Sequence, residues 1–564
     1  MAAKSPAFAY RMLFAPSREL IDYACKLGMN WVVVATSGHK TVYRPHEDPP
    51  VYMPSYKKLH AIRRRMRRDI EAERKQIRQT IAYAKKRGLK VIYNTYEISV
   101  PAGFEKAYPG MFSPPIREFL SRTTPEQRQL NLCVSRPEVR EALAAKVQEL
   151  CETFPDIDGF AYTNNESATQ TQCWHRCERC RDIPFGRMMK YLHDAMAEGV
   201  ERSGRRVRLF ARCWGSHETD FRYWGAFAKR VEWGAHEFGD KEWLPAYVES
   251  FRPARLHFRP SRDIPQFLRL LKRDETAFIY KASWADNNLH HPLNPWIGKY
   301  TGHDEICEIS FEHAFYRPRV FYVMGREMQR RARLCRARGA AGLCTVPISW
   351  GAHDGEADRL HPSRCMLAEL NLHLMAALSR NADADIDKVA RSYLRRRYGR
   401  RIAGEAELAG MLLDSEDVAA EAMNIRGVRA TSNGEQIPAD FHGFVTSLLR
   451  YGPMYKDWQK RLAPTPANLR RIFKAKDSSV ARAEGMLARI RELKGALPAR
   501  AYREFSECFG YLLTMARSFQ AAHKLFLSLW AIRQGHAAPT TAKLNELLEM
   551  MKQYGEMLAL NKSR

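Results

Sequence analysis

The sequence predicts a (β/α)8 barrel followed by an all-α C-terminal domain. In the first two-thirds of the chain, short apolar strands alternate with amphipathic helices, and from about Ala368 onward the strand pattern disappears. Strands that alternate with helices pair in parallel through right-handed crossovers. About eight such units over this length indicate a closed barrel rather than an open sheet. We therefore predict a barrel over residues 1–375 and a helical domain over residues 376–564.

The individual elements are predicted from apolar runs that glycine, proline or polar residues interrupt. The predicted strands are residues 11–15, 31–36, 90–98, 159–164, 206–214, 255–258, 277–281, 306–311 and 342–346. The predicted barrel helices are residues 18–27, 57–87, 137–153 and 185–202. Beyond the barrel, helices are predicted over residues 384–398, 481–497, 503–535 and 541–560.

The chain of 564 residues is strongly basic, with a formal net charge of +28. Nucleic acid, an anionic membrane surface and an acidic polysaccharide would all be attracted to such a protein. Much of the charge lies on the predicted helix 57–87, whose isoleucines recur at helical spacing. Its arginines are therefore interpreted as the solvated face of a packed helix, and nucleic acid is not the favoured partner.

The sequence also restricts where the protein is expected to act. It contains no apolar run of membrane-spanning length, and its start lacks the features of a secretory signal. The twelve cysteines are scattered rather than paired. We expect a cytoplasmic protein without membrane contact, or a periplasmic or secreted one if a signal peptide was removed.

Polar residues cluster where the predicted strands end, which is where barrel enzymes carry their active sites. They are Glu97, Asn165, Glu166, Arg212, Trp214, Lys281, Trp284, Asp286, Glu308, Glu312 and Trp350. Cleavage of a glycosidic bond requires a carboxylic acid that protonates the leaving oxygen and a second carboxylate. Tryptophan rings stack on sugars, and the sequence carries no glycine-rich phosphate loop at these strand ends. This pattern predicts a glycoside hydrolase without a cofactor.

Roles follow from position along the chain. Glu166 is the predicted general acid, and Asp286 is the predicted base that deprotonates water, with Glu312 assisting. The structural alternatives are a helix cap for Glu166 and an Asx turn for Asp286.

The other polar strand-end residues are predicted to bind substrate. Arg212 and Lys281 either hold a substrate carboxylate or are buried ion-pair partners. Glu308, deeper on its strand, binds substrate or pairs with an arginine. Glu97 and Asn165 are expected to bind sugar hydroxyls, and Trp214, Trp284 and Trp350 to stack on sugar rings.

The segment from Lys281 to Phe315 resembles the α-glucuronidases of glycoside hydrolase family 67. Lys281, Asp286, the sequence NPWIG at 294–298, and Glu308 fall on matching positions of that family. Weaker similarities are GFAYTNNES, where the family places its general acid, and RLFARCW on the next strand. The resemblance implies an exo-acting enzyme that removes a uronic acid from an acidic oligosaccharide.

The sequence departs from that family at several positions. The family's second catalytic glutamate falls on Ala314, so Glu312 would have to take that role. The first predicted strand begins at residue 11, which leaves no room in this sequence for the family's N-terminal β-domain. The resemblance is thus divergent.

A cysteine cluster follows the fourth predicted strand. Cys173, Cys177 and Cys180 have the CxxxCxxC spacing of radical enzymes that hold an iron–sulfur cluster, but those enzymes place it after the first strand. With His175, the cluster also has the composition of a structural zinc site. Unligated thiols are the third interpretation.

Two further functions remain open. One is a β-N-acetylhexosaminidase-like glycosidase, although such enzymes carry an adjacent Asp-Glu pair after strand four, where this chain has Asn165-Glu166. The other is a non-catalytic barrel that binds carbohydrate or nucleic acid. The expected partner is an anionic oligosaccharide or polysaccharide, and a homodimer is compatible with the sequence.

Overall fold

Eight parallel strands form a closed barrel in which each strand pairs with its neighbours in chain order. The structure is a computed structural model. It describes residues 7–15, 17–35, 50–95, 100–101, 103–111, 132–163, 179–180, 182–213, 260–282, 289–310, 322–346, 365–400, 402–430, 437–438, 440–441, 443–445, 448 and 452–563. The strands are β1 Tyr10–Phe14, β2 Trp31–Ala35, β3 Lys90–Thr95, β4 Gly159–Thr163, β5 Arg208–Cys213, β6 Thr276–Lys281, β7 Glu305–Ser310 and β8 Gly342–Val346. The predicted barrel is confirmed, and the strand predicted at 255–258 lies outside the described residues.

Helices connect these strands and make up most of the chain after β8. Up to β8 the described helices are Arg18–Lys26, Lys57–Arg65, Arg67–Lys86, Phe104–Ala107, Pro137–Thr153, Phe185–Arg202, Pro260–Arg269 and Gly325–Ala337. After β8 they are Met366–Arg380, Ile386–Tyr398, Glu405–Met423, Trp458–Leu462, Pro466–Glu492, Ala499–Arg533 and Thr541–Ser563. The helical C-terminal region is therefore confirmed.

Two predicted helices differ from the structure by much more than one turn or by a break. The basic helix predicted over 57–87 is divided at Met66 into Lys57–Arg65 and Arg67–Lys86. The helix predicted over 481–497 begins earlier, at Pro466, because proline suits the first turn and the Thr465 side chain accepts a hydrogen bond from the Asn468 amide.

A short hairpin corrects the prediction that strands end at β8. Strands β9 Asn424–Ile425 and β10 Val428–Arg429 pair antiparallel. The two residues between them, Arg426 and Gly427, both have positive φ, of 49° and 72°. Positive φ at both central positions is typical of a type I′ turn. Strands of two residues are too short to show alternating polarity, so the sequence pattern did not reveal them.

The chain divides into two compact units. The first consists of Met1–Trp284, Leu293–Ile309 and Leu334–Val346, and the second of Ala285–Pro292, Ser310–Arg333 and Pro347–Arg564. The boundary predicted at residues 375 and 376 falls inside the helix Met366–Arg380.

The interior of the barrel is filled by large and small side chains in alternation. Near the amino ends of the strands, the Trp31 ring packs 5.6 Å from Phe210 and 5.7 Å from Tyr10. A Cβ atom at Gly159 would lie 2.5 Å from the Phe210 ring, so the absence of a side chain there makes room for that ring. The interior is thus a packed core up to the level of the site described below.

The second unit contains buried polar side chains that stabilise helix ends. Lys476 donates hydrogen bonds to the carbonyl oxygens of Glu421, Ala422 and Asn424, at 2.5, 2.7 and 2.5 Å. These carbonyls lie at the carboxyl end of the helix Glu405–Met423, where backbone acceptors lack helical partners. Among the described helices, none is both long enough and apolar enough to cross a membrane.

Candidate active site

A buried ion cluster lies near the carboxyl ends of β5, β6 and β7. Arg212 donates to Glu308 through Nε to Oε2 at 2.7 Å and through Nη2 to Oε1 at 2.9 Å. The Lys281 Nζ atom lies 2.7 Å from Oε1 of the same carboxylate. The exposed fractions are 2% for Arg212, 3% for Lys281 and 0% for Glu308. We call these three residues the ion cluster.

Strand register explains why the three side chains meet. Lys281 and Glu308 are direct register partners on β6 and β7, and Arg212 is the register partner of Ile279, two residues before Lys281. Side chains alternate along a strand. Tyr280 and Ile309, which adjoin Lys281 and Glu308 in the chain, therefore point away from the face that carries the ion cluster.

The two cations determine the ionisation of Glu308. Burial by itself raises the pKa of a carboxyl group, but the charges of Arg212 and Lys281 outweigh burial and hold the pKa of Glu308 at about 2. Glu308 is therefore an anion at neutral pH and has no proton to donate. The sequence left open whether Arg212 and Lys281 are ion-pair partners, and the structure shows them in that arrangement. Their binding of a substrate stays a prediction.

The loop after β6 is attached to the end of that strand. The Asn294 amide N–H donates to the Ala282 carbonyl at 2.7 Å, and the Asn294 side chain donates to the Lys281 carbonyl at 3.1 Å. The Asn294 Oδ1 atom in turn accepts from the Trp296 amide at 3.0 Å. These bonds fix the backbone of Lys281, from which its side chain reaches the ion cluster.

Most of the predicted site residues fall on segments that the structure does not describe. This applies to the predicted acid Glu166, to the predicted bases Asp286 and Glu312, and to Ala314. It also applies to Glu97, Asn165, Trp214, Trp284 and Trp350. Their roles stay predictions from their place after the strand ends.

One residue that the sequence analysis missed lies in the barrel near this level. Asn94 is the penultimate residue of β3, and its side chain is 1% exposed. Neither its Oδ1 nor its Nδ2 atom has a hydrogen-bond partner in the part of the chain that the structure describes. The sequence signal was a polar residue two positions after Ile92, on the same face of β3.

The cysteine cluster is largely outside the described residues, which include Cys180 but not Cys173, His175 or Cys177. Cys180 is buried. Within the described ranges, no group of three or more His, Cys, Asp or Glu side chains is placed to hold a metal ion.

Comparisons with known proteins show similarity over part of the barrel. Residues 51–215 match the model of glycosyl hydrolase family 20, catalytic domain. That segment includes β3, β4 and β5, together with Glu166 and Arg212. A β-hexosaminidase of Akkermansia muciniphila is 29% identical over 120 residues, which are 21% of this chain and 23% of that protein. This chain thus spans under a quarter of that relative.

A solved structure of similar fold is a GH138 enzyme described as targeting the pectin rhamnogalacturonan II. Its TM-score is 0.55 at 12% sequence identity, and the match covers 99% of this chain and 63% of that chain. At this identity the similarity shows the shared fold, a barrel with a helical C-terminal region.

These matches support the predicted class, glycoside hydrolase, and show that the resemblance to family 67 was wrong. The family model that matches is that of family 20, and the curated relative is a β-hexosaminidase. Lys281 and Glu308, on which the resemblance depended, are register partners that form an ion pair, so a structural pairing explains their spacing. The protein is a (β/α)8 barrel whose residues 51–215 are similar to the catalytic domain of glycosyl hydrolase family 20.

Proposed function

We propose that this protein is a glycoside hydrolase that removes a β-linked N-acetylhexosamine from an oligosaccharide. The observation that carries the proposal is the similarity of residues 51–215 to the catalytic domain of family 20. The β-hexosaminidase relative supports the same substrate class. Because the matched segment contains the end of β4, the proposal gives the central role to Glu166, three residues after that strand.

The proposed reaction uses one carboxyl group and the substrate itself. Family 20 enzymes are exceptions to the two-carboxylate scheme, because the substrate assists its own cleavage. Glu166 donates its proton to the glycosidic oxygen while the bond from that oxygen to C1 breaks. The carbonyl oxygen of the 2-acetamido group attacks C1. The Glu166 carboxylate then takes a proton from water, whose oxygen attacks C1 and releases the acetamido group.

Asn165 is the distinctive feature of this version of the site. An acetamido group is oriented in such enzymes by an aspartate that precedes the acid, and here that position is asparagine. The side-chain oxygen of asparagine accepts a hydrogen bond from the acetamido N–H, but it carries no charge. We therefore expect slower cleavage than an Asp-Glu pair would give.

The ion cluster has a structural part in this proposal. Glu308 is ionised between two cations, so it has no proton to donate at neutral pH. Separating it from Arg212 and Lys281 would leave buried charges without a partner, which costs free energy. Its contacts connect β5, β6 and β7 near their carboxyl ends. The cluster thereby fixes the ends of these three strands relative to one another, and Trp214, Asp286 and Glu312 follow those ends in the sequence.

A cationic surface suggests that the oligosaccharide is part of an acidic polymer. Six exposed cations on the helices Lys57–Arg65 and Arg67–Lys86 make no side-chain hydrogen bond or ion pair with any described residue: Lys57, Lys58, Arg64, Arg65, Arg67 and Arg68. By contrast, the exposed Arg489 is paired with Glu407. Unpaired cations attract polyanions, so acidic oligosaccharides belong in any substrate panel.

The test compares wild type with Glu166→Gln on aryl glycosides, including aryl β-N-acetylglucosaminide, and on acidic oligosaccharides. We expect release of N-acetylhexosamine by wild type and a loss of about 10²–10⁴-fold in kcat in Glu166→Gln. Glu407→Gln, a change of the same kind at an exposed ion pair of the second unit, serves as the control and should keep full activity. Equal activity in all three proteins would remove Glu166 from the mechanism. Release of a different sugar would reject the proposed substrate.

A second variant tests the acetamido group directly. Asn165→Asp should raise kcat on N-acetylhexosaminides and leave kcat on glycosides without an acetamido group unchanged. An equal effect on both substrate types would show that residue 165 does not orient the acetamido group.

A further inference from the structure

The side chains that face the barrel interior form layers, and Asn94 shares a layer with two members of the ion cluster. The strands of an eight-stranded barrel with a shear of eight are tilted to the barrel axis. The residue at the same height on the next strand is therefore about one position after the register partner. The register runs from Asn94 to Ala161 and on to Phe210, so Arg212 lies at the height of Asn94. The register then runs from Arg212 to Ile279 and on to Ile306, so Glu308, two positions after Ile306, lies at the height of Arg212.

Observed contacts agree with this layer. Arg212 and Glu308 form the ion pair described above, and the Arg212 guanidinium lies 5.6 Å from the centre of the Phe14 ring on β1. Strands β1, β3, β5 and β7 therefore contribute Phe14, Asn94, Arg212 and Glu308. Barrel layers of this kind take their four side chains from alternate strands.

Asn94 points into the barrel rather than toward the surrounding helices. Its neighbour Tyr93 packs against Phe154, which ends the helix Pro137–Thr153, with ring centres 5.1 Å apart. Alternation along the strand puts Asn94 on the opposite face. Ile92, on the same face as Asn94, lies beside Gly159 and the inward-facing Phe210.

The amide of Asn94 is the unusual member of the layer. Arg212 and Glu308 are hydrogen-bonded to each other, whereas Oδ1 and Nδ2 of Asn94 have no hydrogen-bond partner in the described part of the chain. Buried polar groups are normally hydrogen-bonded, and an unmet one reduces stability. An exception of this kind calls for an explanation, such as a functional role or a partner that completes the bonding.

Access to this amide is expected from the carboxyl ends of the strands. Asn94 is the penultimate residue of β3, and only Thr95 follows it on the strand. The Thr95 side chain lies on the opposite face, because side chains alternate along a strand. The bulky Lys281 lies on β6, on the far side of the barrel.

We infer that the side-chain amide of Asn94 binds a hydroxyl group of the substrate sugar at the floor of the active site. An asparagine amide both donates and accepts, and a hydroxyl group has the same two capacities. A cation would be repelled by Arg212 in the same layer, and an anion could not use the amide oxygen. This inference rests on the proposed glycosidase function, and it adds a binding residue on β3 to the proposed acid that follows β4 in the sequence.

The test uses a pair of matched variants at adjacent positions. Asn94→Leu removes the amide with little change in volume. Thr95→Val is the control, because the Thr95 hydroxyl is also buried and lacks a partner among the described residues but lies on the opposite face of β3. Neither substitution should lower the midpoint of thermal unfolding, since each removes an unmet polar group.

Binding of N-acetylglucosamine, measured by calorimetry, distinguishes the two variants. We expect Asn94→Leu to raise Kd at least tenfold and Thr95→Val to leave Kd within twofold. If Asn94→Leu does not unfold cooperatively, Asn94→Ala replaces it in the same measurement. A Kd within twofold of wild type in the Asn94 variant would mean that only an internal water completes the amide, and it would overturn the inference.

The wild-type result separates this inference from the proposed function. If wild type binds another sugar of the panel but not N-acetylglucosamine, the proposed substrate fails and the Asn94 comparison is decided with that sugar. If wild type binds no sugar of the panel, the proposed function and the inference both fall. If wild type binds N-acetylglucosamine and both variants match it, the inference alone is wrong.

Discussion

Arg212 and Glu308 form a two-point ion pair inside the barrel even though β6 separates their strands. Both oxygens of the Glu308 carboxylate accept from the Arg212 guanidinium, at 2.7 and 2.9 Å, and one of them also contacts Lys281. The planar guanidinium fits a carboxylate in this two-point manner, which lysine alone cannot do. The pair therefore fixes the relative positions of β5 and β7.

Replacing Glu308 should strongly destabilise the barrel. Glu308→Gln removes the anion and leaves two buried cations, and loss of one partner of a buried ion pair costs about 3–5 kcal/mol. The free energy of unfolding of the barrel, measured in urea by fluorescence, should fall by that amount. Glu407→Gln is the control, because its pair with Arg489 is more than 40% exposed on both sides. Exposed pairs contribute only about 0–1 kcal/mol.

Two outcomes would contradict this expectation. Equal effects of Glu308→Gln and Glu407→Gln would show that burial does not strengthen the interior pair. A more stable Glu308→Gln would show that the desolvation of the three charges exceeds their mutual attraction, as continuum arguments allow for some buried pairs.

The same carboxylate should make stability depend on acid pH. The pKa of Glu308 is about 2 in the folded protein, against about 4.3 for an unfolded glutamate. Because the folded value is the lower one, the stabilising contribution is complete above the unfolded pKa and declines as the pH falls from about 5 toward 2.

Glu275 and Glu504 also have pKa values of about 2, so wild type alone would not isolate Glu308. The informative quantity is the difference in free energy of unfolding between wild type and Glu308→Gln, followed from pH 7 to pH 3. It should be constant down to about pH 5 and then decrease. A difference that does not change over this range would mean that Glu308 has an ordinary pKa.

Periodicity was sufficient to predict the fold. Strand β8 was predicted with the bounds that the structure has, and so were the helices 137–153 and 185–202. Each combines a clear pattern with a strong boundary residue, such as Pro137 at the first helical turn. The hairpin at 424–429 was missed because two-residue strands have no measurable period.

The site was less predictable because contacts across strands depend on register. The sequence placed Arg212, Lys281 and Glu308 at strand ends, but it left open whether they meet one another or a substrate. Register settles the contact, since Lys281 faces Glu308 directly. Asn94 went unnoticed for the same reason, because its layer joins residues from four strands that are far apart in sequence.

The resemblance to family 67 was wrong, and it rested in part on the spacing of Lys281 and Glu308. A lysine and a glutamate on adjacent strands stabilise a barrel whatever its activity, so their spacing says little about substrate. The segment that matched a family model lies elsewhere, at residues 51–215.

Glycine at position 159 should be required for packing of the barrel interior. A Cβ atom there would lie 2.5 Å from Cε2 of Phe210 and 3.0 Å from Cγ1 of Ile92, and both neighbours are fully buried. Gly159→Ala should therefore overpack this layer and lower the free energy of unfolding by about 1–3 kcal/mol.

Gly485→Ala is the matched control, since no atom lies within 4 Å of its Cβ position in the helix Pro466–Glu492. Alanine there should raise helix stability by about 0.5–1 kcal/mol, so urea unfolding of the two variants should shift in opposite directions. If Gly159→Ala were as stable as wild type, the Phe210 ring would have room to move, and the interior below Asn94 and Arg212 would be less tightly packed than the structure shows.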